Sequence, residues 1–154
     1  MERSPKYFAF GLRLGLIESQ LVQEWVNEQI TLSEVLSDEL LDLSYIDNTR
    51  KKEMYSVLNA MPDENDDYEA LRNLFSEVMK ERLEDINYCA QLARELYLIF
   101  CAHKYECPDD FNFISHFDDA FSLAFQGILG DPEMVQMKFI NHILSFKKTA
   151  NQRV

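Results

Sequence analysis

Glycine and proline are scarce, four of each in 154 residues, and a chain so poor in turn-formers is not a many-stranded β protein. Cations are scarce too: 15 Lys and Arg stand against 27 Asp and Glu, a formal net charge of -12. Such a surface is repelled by a polyanionic backbone unless its few cations cluster tightly, and these do not, so no nucleic-acid partner is expected. The longest uncharged run, Ala120 to Gly130, is far shorter than the roughly 20 residues that cross a bilayer, so no membrane span is expected. In the opening MERSPKYFAFGLRLGLIESQ, Lys6 and Arg13 interrupt the apolar stretch and no small-residue cleavage site follows, which argues against a secretory signal. Cys89, Cys101 and Cys107 are an odd number for a disulfide framework, and free thiols make the cytoplasm the default compartment.

What the chain does have is material for a core. With 47% hydrophobic and 12% aromatic residues it is not disordered, and its length suits one domain that buries about two-thirds of its unfolded surface. The expectation is an all-α protein: a single-domain compact bundle of six to eight helices over residues 1–154, with 149–154 frayed.

Helical spacing recurs along the whole sequence. A first helix runs from about Pro5 to Leu14, with Gly15 as a left-handed stop. From Glu18 to Ile30, Leu21, Val22, Trp25, Val26 and Ile30 mark one apolar face. Thr31 or Ser33 is a candidate cap for a short helix whose apolar surface is Val35, Leu36, Leu40, Leu41 and Leu43. Asp47 and Asn48 mark a turn and the next N-cap, and Pro62 ends the helix that carries Met54, Val57, Leu58 and Met61.

Between Asp63 and Cys107 there is neither glycine nor proline, and an apolar stripe from Leu71 to Phe100 continues in steps of three and four. The pattern fits one very long helix or two that meet near Glu84-Asp85; the rarity of forty-residue helices in domains of this size favours two. Pro108 then opens a phenylalanine-rich helix that Gly130 closes, and Asp131-Pro132 starts a last helix ending in Lys147 and Lys148.

Catalytic constellations are thin. Cys101, His103 and Cys107 gather within seven residues, and His116 and Asp119 share a helix face, but the paired spacings of structural zinc sites are missing. No Glu-x-x-His, phosphate loop or nucleophile elbow is present, and the adjacent Asp118 and Asp119 point about 100° apart on a helix. No cofactor, no metal and no enzymatic activity are therefore expected, and an acidic metal-dependent enzyme is the remotest of three readings.

Surface recognition remains. Seven tyrosines, one tryptophan and an excess of carboxylates suit the binding of a basic protein, since aromatics anchor and charge speeds encounter. Tyr45, Tyr55, Tyr68, Tyr88 and Tyr105 all lie near acidic residues. The run PDENDDYE offers a candidate partner-binding patch of Asp63, Glu64, Asp66, Asp67 and Tyr68, beside a turn; negative charge there also complements the dipole of the following helix. The alternative class is a homo-oligomeric structural or regulatory protein of bacterial, phage or plasmid origin, joined through the Phe111–Ile128 segment.

The stretch FGLRLGLIESQLVQEWVNEQI, with Gly15, Leu16, Trp25 and Glu28 followed by Leu40-Leu41-Asp42-Leu43-Ser44, resembles the N-terminal signature of a family of small, all-helical, uncharacterised bacterial proteins. Asp118-Asp119-Ala120-Phe121 and Asp131-Pro132 fit the same pattern. Relatives of this kind include immunity proteins, which hold a co-expressed toxin inactive. The resemblance covers about the first forty-five residues. It implies a protein partner, a basic toxin domain in particular, and no catalytic residue.

Overall fold

The structure, a computed structural model, describes the backbone of residues 3–152 and the side chains of 3–147. It is all-α: eight α-helices and two 3-10 turns, with no strand among the described residues. The contacts gather into two compact units, residues 1–74 and 75–154, each with its own buried core.

The first unit contains α1 (Pro5–Arg13), α2 (Ser19–Leu32), α3 (Asp38–Tyr45), α4 (Lys51–Ala60) and most of α5 (Asp67–Ser76). Proline at the first position and the Ser4 hydroxyl, which accepts from the Tyr7 amide, start α1. Leu14 and Gly15 end it, with Gly15 at φ 71° as its sequence position implies. α1 packs on α4, and α2 on α3. Phe8 lies against Trp25 with ring centroids 4.8 Å apart, and Val22, Val26, Leu43, Met54, Leu58 and Leu71 fill the space between.

The second unit is organised by α6 (Ile86–Ala102), against which pack α7 (Phe117–Phe125), α8 (Pro132–Gln152) and the 3-10 turns Lys80–Leu83 and Asp109–Ser115. The 63–107 stretch divides into two helices as expected, but they do not meet at Glu84-Asp85. α5 ends at Ser76, and the 3-10 turn Lys80–Leu83 intervenes before the Asp85 carboxylate, accepting from the Asn87 amide, caps α6. Aromatic rings dominate this core. Phe111 lies 4.9 Å from Phe146 and 6.2 Å from Phe75, Phe117 lies 5.2 Å from Phe139, and His142 stacks on Phe113 at 4.9 Å. Of eleven phenylalanines, nine are buried and Phe125 is exposed.

Several boundaries differ from the sequence expectation. The third helix is capped by neither Thr31, which lies inside α2, nor Ser33, which ends it; Ser37 caps it, and its hydroxyl accepts from the Leu40 amide. Ser37 wins because Asp38 and Glu39 follow it, placing negative charge in the first turn. The Pro108–Gly130 segment is a 3-10 turn followed by α7, broken at His116; a three-residue period places Phe111, Ile114 and Phe117 in one line facing the core. Asp47 does make the expected turn, with its carboxylate accepting from Thr49, but α4 starts after Arg50, not Asn48. The last helix continues past Lys148 to Gln152, and the side chains of 149–154, expected to fray, lie outside those described.

Candidate functional site

The acidic run at 63–68 is placed at the start of α5, where most of its polar atoms are engaged within the first unit. One Asp63 oxygen accepts from the Lys6 amide at 2.8 Å, satisfying a first-turn donor of α1, and the other accepts from the Asn65 amide at 2.9 Å. Asp66 and Glu69 form a reciprocal capping box: the Glu69 amide donates to Asp66 at 2.8 Å, and the Asp66 amide to Glu69 at 3.4 Å. Asp67 pairs with the Lys6 ammonium at 3.2 Å. Tyr68 is buried and Glu64 faces solvent. Asp63 and Glu64 also edge a hollow of about 320 Å³ whose other walls include Trp25, Gln29 and Leu40.

No group of three or more His, Cys, Asp or Glu side chains is gathered as a metal ion would require, among the described residues. The Cys107 thiol donates to the Asn112 side chain at 3.5 Å; its desolvation, reinforced by Asp109 and Asp110, pushes its pKa up. Burial does the same to Cys89 and lifts the Tyr88 phenol to about 12. Groups held in their neutral forms lack the lowered pKa that marks an activated nucleophile. Asp118 is met by Arg94 at 3.5 Å, not by a second carboxylate.

The distribution of charge is more informative than its total. Residues 1–74 hold fifteen carboxylates against seven Lys and Arg, a net charge of -8. Within that unit, residues 14–49 contain eight carboxylates and no Lys, Arg or His. Glu18, Glu24, Glu28, Glu34, Asp38, Asp42 and Asp47 of this stretch are all exposed. Thr49, through its amide and then its hydroxyl, holds the Asp47 carboxyl below its ordinary range, so Asp47 keeps its charge in mild acid.

Large apolar side chains share this surface. α2 ends at Leu32 and α3 begins at Asp38, and the five residues between them are non-helical, extended at Ser33 and Ser37 and bent at Glu34 and Val35. Val35 is 87% exposed, Leu32 71%, and Tyr45, at the far end of α3, 83%. The expectation that Val35 and Leu36 pack as core therefore fails: both precede the true cap, Ser37, and leave the helix whose face would have carried them inward. Two hydrogen bonds brace the scaffold behind them. The Ser19 hydroxyl donates to the Asn48 carbonyl at 2.8 Å, and the Gln23 amide to the Ile46 carbonyl at 2.7 Å. Beside Tyr45 lies an open groove of about 550 Å³, whose walls include Asp42, Ile46, Glu53 and Val57 and the cations Arg50 and Lys52.

A second exposed apolar cluster lies in the other unit, at the α7–α8 connection. Ile128 is 66% exposed and Leu129 68%, and Phe125, Met134 and Met137 accompany them within thirteen residues. Of the remaining tyrosines, Tyr105 is exposed, and Tyr55 and Tyr88 are half-buried. No helix among the described residues is long and apolar enough to cross a membrane.

Sequence reasoning found the excess of acid and missed where it concentrates. The signal was the order of the charges, a 36-residue gap in the cations, rather than the densest acidic run. No family model, curated protein or solved structure matches this chain.

Proposed function

We propose that this protein is a non-enzymatic, acidic protein-binding module that works in the cytoplasm as an immunity-type inhibitor, seating on a basic toxin domain and blocking it. The observation that carries this reading is the cation-free stretch 14–49 with its seven exposed carboxylates. A surface with a large excess of negative charge raises the encounter rate with a cationic surface and disfavours anionic ones. The resemblance of the first forty-five residues to small, uncharacterised, all-helical bacterial proteins, whose relatives include immunity proteins, lies over the same stretch. The carboxylates at 63–68 contribute to the field of the same unit, but two of them cap helices, so reversing those would cost fold as well as charge.

The test is affinity capture from a lysate of the source organism at low and at high salt, followed by kinetics with the retained partner. The variant Glu24→Lys/Glu28→Lys/Asp38→Lys should slow association tenfold or more at low salt and flatten its salt dependence, with little change in dissociation. An association rate unchanged at low salt would exclude the steering role.

A second reading, a homo-oligomer of structural or regulatory kind, is favoured by the apolar cluster at the α7–α8 connection. Burial of Phe111, Phe113, Phe117 and Phe121 leaves little of the Phe111–Ile128 segment for a seam, so the contact would lie at its end, on Ile128 and Leu129. Under this reading light scattering shows a dimer that Ile128→Ser/Leu129→Ser converts to monomer. A monomeric parent protein across a hundredfold concentration range removes it.

A further inference from the structure

We infer that the α2–α3 connection and the outward stripe of α3 form a docking surface for a basic segment of a partner protein that also carries apolar side chains. Leu32, Val35 and Leu36 form its apolar end, Tyr45 its aromatic end, and Asp38 and Asp42 the charged rail between them. This rests on the protein-binding reading above and gives that reading a location.

Exposed apolar residues scattered singly are ordinary, but three within five residues on one connection are not. Nothing in the local backbone requires them: the segment between Leu32 and Asp38 needs only caps, and Ser33 and Ser37 provide its ends. On α3, Asp38, Asp42 and Tyr45 are spaced i, i+4 and i+7 and so align on one face, spanning about 10 Å along the axis. All of them are exposed.

Charge complementarity selects the occupant. With no Lys, Arg or His between residues 14 and 49, this stretch itself supplies carboxylates as its only charged groups, while Arg50 and Lys52 bound the groove at the Tyr45 end. A second copy brings the same charge and is repelled, as are nucleic acids and anionic bilayers. A partner segment that presents Lys or Arg to Asp38 and Asp42 and an apolar side chain to Leu32 and Val35 satisfies both halves. Charge then brings the partner in, and burial of the apolar end sets how long it stays.

The full chain, labelled with nitrogen-15, is titrated with three peptides: an amphipathic Lys/Leu helix, an all-Lys peptide of equal charge and a Glu/Leu helix. The expected result is that the Lys/Leu peptide shifts amide signals concentrated in residues 28–45, that the all-Lys peptide binds at least tenfold more weakly, and that the Glu/Leu peptide does not bind. Val35→Ser/Tyr45→Ala should lose at least tenfold in affinity for the Lys/Leu peptide with its circular dichroism unchanged. The inference is overturned by no binding, by shifts centred on 63–68 or 125–137, by equal affinity for the two basic peptides, or by equal binding of the Glu/Leu peptide. A captured basic partner whose footprint avoids 28–45 sinks this location and leaves the function standing. The peptide result intact, with no partner in the lysate, sinks the function and leaves the surface.

Discussion

Phe111→Ala is expected to lower the unfolding free energy by about 3–5 kcal/mol, the usual cost of emptying a buried phenylalanine site. Phe111 is fully buried and touches Phe75, Phe113 and Phe146, so its ring is shared by α5, α8 and the 3-10 turn that carries it. The neighbours are themselves rigid rings from three elements, and they cannot collapse into the space as a flexible methionine would. Against a typical total of about 5–15 kcal/mol the loss is large. Urea unfolding followed by far-ultraviolet circular dichroism measures it. A loss below about 1 kcal/mol would mean that this aromatic core does not hold the second unit together.

Gly11→Ala should destabilise the first unit by about 1–3 kcal/mol, although alanine is the better helix former by about 1 kcal/mol. A methyl group at Gly11 would stand 2.6 Å from Ile17 Cγ1 and 2.8 Å from Ile17 Cβ. The second distance decides the sign, because Cβ is fixed to the backbone and no rotamer of Ile17 moves it away. Nor can the backbone retreat without cost: the amides of Leu16 and Ile17 both donate to the Gly11 carbonyl, at 2.9 and 3.1 Å. The chain after α1 folds back over Gly11, and any side chain there forces it off. The same unfolding measurement applies, and a variant as stable as the parent would show that the return of the chain is not held tightly.

The helical elements were legible in the sequence wherever a local rule had no competitor. Pro5 and Gly15 bound α1, Asp85 caps α6, and Asp131-Pro132 opens α8, each through a backbone donor or a dihedral that few other residues satisfy. Between α2 and α3 the sequence reading offers Thr31 or Ser33 as the cap and passes over Ser37, because the apolar residues Val35 and Leu36 draw the expected helix start too early. Periodicity counts apolar residues without knowing whether a core stands behind them. Here it turned two exposed side chains into predicted interior. The same limitation hid the role of Asp63, since a carboxylate that accepts from a backbone amide 57 residues away reads, in sequence, like any solvated charge.

By itself the sequence determined the all-helical class, the scarcity of cations and the 36-residue stretch without any, because these follow from composition and residue order alone. Which charges are spent within the fold, which phenylalanines fill the core and which apolar residues are left on the surface were decided only by tertiary structure. The physical reason is that burial belongs to a neighbourhood. Phe111 and Val35 differ little as apolar residues, but one meets rings from two other segments, Phe75 and Phe146, and the other meets water.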